Sequence, residues 1–335
     1  MERVAWLDTA KALGIFLVIL GHHKINSTIL IWIYSFHMPL FFFISGYLFN
    51  PEKYPVFSSF FVKKFRTLII PYFFFSLFSY LFWLLIVHKL SIHGLSLRMD
   101  PIKPLISIIY GIGVNGWEQP LDKALWFLLC LFVAEILFWK INSCCNRKQL
   151  PLMIIGLVIL SFILSILNLP KLPWSVDVAI TASVFYGIGF LYKDMVMIWM
   201  NNKNFIPSLL FLLIINLLCC SLNGITSING NHGNFILFYI SGIAGVLFLI
   251  GISKLIIVNS TIEIIGQNTL IIMGMSGISF FVLRGIIYLI TKSLPMMTSE
   301  VPIFIAVAYS ILQILFLIPI IHLLNKYFPF VIGRR

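Results

Sequence analysis

The chain has 335 residues, of which 60% are hydrophobic and only 10% are charged. Soluble globular domains carry about 25% charged residues, so this composition excludes a soluble protein and favours an all-α, polytopic bundle of membrane helices. The net charge of +12 is scattered among apolar segments. This pattern argues against a nucleic-acid partner and leaves membrane topology, membrane lipid or a polyphosphate cofactor as explanations.

Hydropathy predicts about ten transmembrane helices in one integral-membrane domain (1–335), because each apolar segment approaches the ~20 residues needed to cross the hydrocarbon. The predicted spans lie near 5–23, 29–49, 67–88, 124–140, 151–169, 175–192, 205–222, 234–253, 268–290 and 302–324. Outside them, fourteen basic residues fall on the side of the N-terminus and seven on the other. This bias predicts a multi-pass protein of the cell membrane with both termini cytoplasmic.

The first predicted span, WLDTAKALGIFLVILGHH (6–23), carries ionisable groups within an apolar helix. Lys11 and His22 are eleven positions apart, which returns a helix almost to the same face with an axial offset of about 16 Å. Asp8 lies one turn before Lys11 on that face. Because ionisable groups are expensive inside a membrane, this stripe indicates a functional site. The structural alternative is a pair of snorkelling anchors with His22 capping the helix.

Two loops add candidate contacts to this stripe. The segment after the second span ends in Lys63-Lys64-Phe65-Arg66, which fits either positive-inside anchoring or a clamp for phosphate groups. The longest predicted outer connection, 88–123, holds a Gly-rich apolar stretch and then Trp117 and Glu118. Such irregular backbone is tolerated where it faces protein or a watery cavity. We expect it to form a lid over an externally opening site, with Trp117 and Glu118 binding substrate.

Few other ionisable residues fall within the predicted spans. Glu135 lies near the depth of Lys11 and Arg284 near the depth of His22, so each is expected to face the bundle interior and to find a partner or ligand. The sequence contains no GxxxxGK[ST], HExxH, GxSxG or CxxC motif. ATP-driven transport, zinc hydrolysis and serine-hydrolase chemistry therefore lack their usual signatures, and no metal is expected.

The pair Lys11-x10-His22, followed by FHMPLFFFISG (36–46), resembles the start of integral-membrane acyltransferases of the acyltransferase 3 family. Within this family, the sequence is similar to the fucose 4-O-acetylase-like branch of polysaccharide O-acetyltransferases. Lys63-x-x-Arg66 resembles the family's R-x-x-R element, and 125–128 and 265–270 resemble segments of its fourth and ninth spans. One departure is that many relatives carry Tyr and His where this chain has Met273 and Ser276.

The resemblance implies transfer of an acyl group, usually acetyl from cytosolic acetyl-CoA, to a hydroxyl of a cell-envelope glycan. The acceptor would be an exopolysaccharide, capsule or O-antigen, or its lipid-linked precursor. An imidazole titrates near neutral pH, so His22, helped by His37, is the expected base. Lys11, oriented by Asp8, is expected to hold the CoA arm or its carbonyl. The nucleotide phosphates are expected to bind to Lys63, Lys64 and Arg66, and Arg284 to bind an acidic sugar or stabilise the oxyanion.

Several alternatives remain open at this point. A transporter or flippase for a glycan or small solute would need gated access without chemistry. His37 is equally well explained as a hydrogen-bonded interfacial histidine, and transfer through an acetyl-His intermediate is as compatible with the sequence as direct transfer. His23 faces about 100° away from His22 on a helix and is placed outside the site. His88, His93, His232 and His322 are expected to be solvated or interfacial.

Overall fold

The computed structural model describes residues 4–90, 99–114, 116, 119–167, 169–291 and 300–334, and within these residues it contains helices and no strand. The first half of the chain forms α1 (Ala5–Gly21), α2 (Ser27–Tyr47), α3 (Phe57–Lys64), α4 (Ile70–Leu85), α5 (Ile102–Tyr110), α6 (Trp126–Cys144) and α7 (Leu150–Leu167). The second half forms α8 (Val176–Leu191), α9 (Lys193–Met200), α10 (Phe205–Asn223), α11 (Phe235–Leu255), α12 (Ser260–Gln267), α13 (Thr269–Thr291) and α14 (Ile303–Tyr327).

Nine helices of the described ranges are long and apolar enough to cross a membrane. They confirm the predicted all-α polytopic bundle. Helix α1 adds 17 residues, about 26 Å at 1.5 Å per residue, which approaches the hydrocarbon thickness of about 30 Å. Most of α1 is buried by its neighbours, whereas only 22% of the residues in the apolar stretches of α7 and α10 are buried. The helix that carries the predicted stripe is therefore central, and α7 and α10 are peripheral.

Helices α2 and α8 touch backbone to backbone. A Cβ added to Gly46 would lie 1.8 Å from the carbonyl oxygen of Tyr186, and one added to Gly189 would lie 2.1 Å from the carbonyl oxygen of Phe43. Any side chain at these positions would force the helices apart, which explains the small residues here. The contact fixes the motif segment 36–46 in the interior of the bundle.

Two prolines shape the helices that approach the candidate site. Pro39 lies inside α2 and, having no amide N–H, leaves the carbonyl of Ser35 without its helical donor. Pro71 lies at the start of α4, directly after a π-helical turn at Phe65–Ile69. Since Pro71 cannot donate to the carbonyl of Thr67, the wider turn is favoured there. Such π-turns are frequent at functional sites.

Candidate active site

The Lys11 end of α1 carries an ion pair on one helix face. Lys11 Nζ donates to Asp8 Oδ1 at 2.9 Å. Asp8 is buried, and its backbone is held against α12, since a Cβ added to Gly266 would lie 2.0 Å from the Asp8 carbonyl oxygen. The structure thus brings Asp8 and Lys11 together as the three-residue spacing predicts.

The opposite end of α1 opens into a cavity. His22 follows the last residue of α1 and lies in a turn. It lines a cavity of about 320 Å³ together with His37, Tyr34, Lys123 and Asn229, a volume within the usual range of about 300–1,000 Å³ for small-molecule sites. His22 is exposed, and it contributes to the wall of this cavity. Two histidines of the predicted site therefore share one space.

His37 is held in one tautomer by its own helix. Its Nδ1 lies 2.8 Å from the carbonyl oxygen of Ile33, and a carbonyl oxygen only accepts, so Nδ1 carries the proton when the ring is neutral. The lone pair of Nε2 is then available to accept a proton. The Tyr34 ring packs edge-on against His37, with centroids 5.0 Å apart. Tyr34 Oη donates to the carbonyl oxygen of Gly21 at 3.2 Å, which ties α2 to the turn that carries His22.

A cation faces His22 across the cavity. Desolvation by the surrounding protein and, after it, the positive charge of Lys123 lower the pKa of His22 below its ordinary value. The imidazole is therefore neutral at physiological pH, the form that a general base requires. The backbone next to Lys123 is anchored by Asp122, whose Oδ1 accepts from the amide of Gly277 at 2.7 Å and from Ser276 Oγ at 3.4 Å.

Asp122 is itself unusual for a carboxyl group. It is 2% exposed, and burial raises its pKa to about 7, against the hydrogen bonds from Ser79, Gly277 and Ser276 that lower it. Ser276 anchors the loop through its hydrogen bond to Asp122. This hydrogen bond joins α13 to the segment that leads into α6.

Lys11 does not line the cavity that contains His22. Eleven positions of helix correspond to about 16 Å along the axis, and His22 lies in the turn after α1, so the two residues have separate environments. The role of Lys11 in donor binding stays a prediction.

The basic cluster before α4 is partly neutralised by the chain itself. Lys64 Nζ lies 2.7 Å from Glu135 Oε1, and the Glu135 side chain is only 4% exposed. Glu135 thus has the interior partner that its burial demands. Lys63 and Arg66 are exposed, and Arg66 lies in the π-helical turn. Binding of phosphate groups by these three residues stays a prediction.

In the described part of the chain, none of the residues predicted to bind the acceptor is seen in the wall of the His22 cavity. Arg284 is buried in α13 with its guanidinium 5.3 Å from the centre of the Phe280 ring, and it does not line the His22 cavity. His23 packs against Phe280 and Tyr309, as expected for a residue outside the site. Trp117 and Glu118 lie outside the described residues.

Sequence reasoning missed four residues of this region: Tyr34, Lys123, Asn229 and His232. Tyr34 lies three positions before His37, and that spacing places both on one face of α2. The others lie in loops, where no periodicity applies. The interpretation of His232 as solvated is wrong, because it is 8% exposed and packs between Phe235 and Phe238; its position at a membrane interface stays a prediction.

A comparison with protein-family models identifies one family. The model described as an acyltransferase domain, that of the acyltransferase 3 family, matches residues 4–322, which is nearly the whole chain. No curated protein and no solved structure matches the chain.

Proposed function

The chain belongs to the acyltransferase 3 family, and from this premise we propose that it transfers acetyl from cytosolic acetyl-CoA to a hydroxyl of a cell-envelope polysaccharide or of its lipid-linked precursor. The observation that carries the proposal is the shared cavity of His22 and His37 at one end of α1. Two imidazoles facing a space of ligand size are suited to move a proton during acyl transfer.

In the proposed reaction the acceptor oxygen attacks the carbonyl carbon of the thioester. His22 takes the hydroxyl proton while the new C–O bond forms, and the C–S bond then breaks. The proton passes from the imidazolium to the sulfur, which leaves as the free thiol of coenzyme A. His37, with its Nδ1 bound to Ile33, assists by accepting a hydrogen bond at Nε2.

Negative charge develops on the carbonyl oxygen during this attack and needs a positive group or hydrogen-bond donors nearby. Lys123 lines the cavity, and the backbone next to it is anchored by Asp122. We therefore assign oxyanion stabilisation to Lys123.

The donor is proposed to enter from the Lys11 end. The excess of basic residues on the side of the N-terminus supports a cytoplasmic location for that end. Lys63, Lys64 and Arg66 would bind the nucleotide phosphates at the mouth, with Lys64 shared between the phosphate and Glu135. Lys11, paired with Asp8, would contact the arm that carries the acetyl group.

The O-acetyl content of the envelope polysaccharide tests this function whichever sugar is the acceptor. It is measured by NMR in cells that lack the gene and carry it back as wild type, His22→Ala or His322→Ala. We expect wild type and His322→Ala to restore the acetyl signal and His22→Ala to fail at equal protein level. An acetyl content that does not depend on the gene would overturn the proposal and favour a transporter or flippase.

A further inference from the structure

A second cavity lies beside the one that contains His22. Its volume is about 460 Å³, and its wall includes Ser165, Lys171, Asp177, Asn229 and His232. The two cavities share Val114, Ile228 and Asn229. A molecule bound in the second cavity would therefore reach the boundary of the space where the imidazoles lie.

The charges of the second cavity compensate one another. Lys171 Nζ lies 3.0 Å from Asp177 Oδ2, and Asp177 Oδ1 also accepts from the amide of Leu172 at 3.2 Å. On the same wall the hydroxyls of Ser161 and Thr181 are hydrogen-bonded to each other. A wall with paired charges and several hydroxyls favours a polar ligand without net charge, because neither sign is in excess.

Asn229 is a polar side chain at the boundary of the two cavities whose hydrogen-bonding capacity is not satisfied. It is 3% exposed, and both Oδ1 and Nδ2 of its side chain are buried without a hydrogen-bond partner among the described residues. Leaving buried polar atoms unpaired costs about 1–3 kcal/mol each. A ligand that both donates and accepts hydrogen bonds would satisfy both atoms, and a sugar hydroxyl does both.

The loop that carries Asn229 is held in place before any ligand binds. The amide of Ser227 donates to the Asn231 carbonyl at 2.6 Å, and Asn223 Oδ1 accepts from the amide of Asn234 at 2.6 Å. Gly233 has a φ of +59°, and a Cβ there would lie 2.3 Å from Asn223 Oδ1. This backbone leaves room for glycine alone. A side chain on such a rigid loop can position a ligand without a large ordering cost.

We propose that the second cavity binds the acceptor as a neutral saccharide and that Asn229 positions its reactive hydroxyl toward His22. The proposal rests on the acyltransferase function and adds the acceptor class and its binding site. Asn229 acts here as a positioning residue. A free sugar and the sugar of a lipid-linked precursor present the same hydroxyl chemistry to this wall.

Two variants test the site against matched controls in the full chain reconstituted in nanodiscs. Asn229→Ala removes the amide, with Asn202→Ala as the control in the turn between α9 and α10. Ser165→Trp fills the cavity, whereas Ile166→Trp places the same side chain on the same helix at a residue that is 64% exposed and does not line the cavity. Thermal unfolding of all four is compared with the wild type.

The binding measurement does not depend on catalysis. Saturation-transfer difference NMR is recorded with methyl glycosides of glucose, galactose, rhamnose and fucose. We expect a signal from at least one glycoside with the wild type and Ile166→Trp, and its loss with Ser165→Trp. No signal with the wild type, or equal signals with Ser165→Trp and Ile166→Trp, would overturn the cavity as the acceptor site.

The kinetic measurement uses labelled acetyl-CoA with the same glycosides, with glycosides bearing a C16 chain and with methyl glucuronide. We expect Asn229→Ala to raise the KM for the neutral glycoside about tenfold, the loss of about 1.4 kcal/mol, with the KM for acetyl-CoA unchanged. A lower KM for the C16 glycosides identifies a lipid-linked acceptor. An unchanged glycoside KM, or transfer only to the glucuronide, would overturn this inference and leave the acyltransferase function standing. Glycoside binding without transfer would overturn the function and leave the saccharide site.

Discussion

At the Lys11 end of α1 the ionisable side chains are paired with one another, whereas at the His22 end polar side chains face cavities. Lys11 is bound to Asp8 and Lys64 to Glu135. At the other end His22, His37 and Asn229 line a common space. The same helix therefore has one end completed by its own chain and one end arranged for a ligand.

This difference distinguishes charged groups that stabilise the fold from polar groups that are available to a ligand. A buried charge with a close partner is tolerated without a ligand, although it contributes little net stability. Polar groups without a partner are retained at a cost, and such costs concentrate at functional sites. We infer that the chemistry takes place at the His22 end and that the Lys11 end supplies the donor.

The largest effect is expected when the second imidazole of the cavity, that of His37, is removed. His37→Ala is expected to lower the rate of acetyl transfer about 10²-fold or more, because general acid–base groups contribute about 10²–10⁴. His322→Ala is the matched control, since His322 makes the same Nδ1 contact with a carbonyl four residues earlier at 2.8 Å but lies away from the cavity. Initial rates with labelled acetyl-CoA check this. A fully active His37→Ala would reduce His37 to the hydrogen-bonded interfacial histidine of the alternative interpretation.

The ion pairing at the Lys11 end is tested by measuring the stability of variants. Lys64→Ala leaves Glu135 buried without its cation. We expect the free energy of unfolding to fall by about 3 kcal/mol, which is the lower part of the range for broken buried ion pairs, because Lys64 is partly exposed. Lys64→Met combined with Glu135→Gln should recover most of the loss. Thermal unfolding in detergent measures both.

The double variant also separates two roles of Lys64. If it is stable and its KM for acetyl-CoA is raised, Lys64 contacts the donor in addition to Glu135. An unchanged KM would restrict Lys64 to the ion pair. A stable Lys64→Ala would contradict the view that this end depends on internal pairing.

A smaller effect is expected for the link between α1 and α2. Tyr34→Phe removes the hydrogen bond to the carbonyl of Gly21, which is worth about 1 kcal/mol. If that bond sets the position of His22 relative to His37, the rate should fall about fivefold. Tyr327→Phe, at a residue that is 62% exposed, is the control. Equal rates for both variants would show that the α1–α2 packing alone positions the imidazoles.

The smallest expected effect is a shift along the pH axis. The pKa of His22 is lowered from the ordinary imidazole value, so the ring stays neutral as the pH falls from 7 and gains its proton at a lower pH than a free imidazole. The acid limb of the kcat/KM profile should therefore lie well below the value of about 6.5 for free imidazole. Lys123→Ala removes a nearby positive charge and should move the limb upward. Since desolvation is the larger cause, the shift should be partial. An acid limb near 6.5 in the wild type would contradict a lowered pKa of His22.

Most of the fold was predictable, because each apolar segment must satisfy its backbone hydrogen bonds internally when it crosses a membrane. Helices such as α2 (Ser27–Tyr47) and α11 (Phe235–Leu255) lie within a few residues of the predicted spans. The π-helical turn before α4 was not predicted. It depends on Pro71 and on the local path of the chain, which hydropathy does not report.

The part of the site that lies on helices was also predictable. The pairing of Asp8 with Lys11 follows from a spacing of three, and the position of His22 from a spacing of eleven. The partner of Glu135 was not, because Lys64 is 71 positions away. Asn229 and Lys123 lie in loops whose path is set by tertiary contacts such as that between Asp122 and Gly277, so the second cavity was beyond sequence reasoning.

The division of labour between the two ends is tested most directly by steady-state kinetics of two variants, His22→Ala and the charge-neutral pair Lys11→Met with Asp8→Asn. The account predicts that His22→Ala lowers kcat by about 10²-fold or more at an unchanged KM for acetyl-CoA. The Lys11→Met and Asp8→Asn pair should raise that KM and affect kcat less. A wild-type kcat in His22→Ala, or the same split of kcat and KM in both variants, would contradict the account.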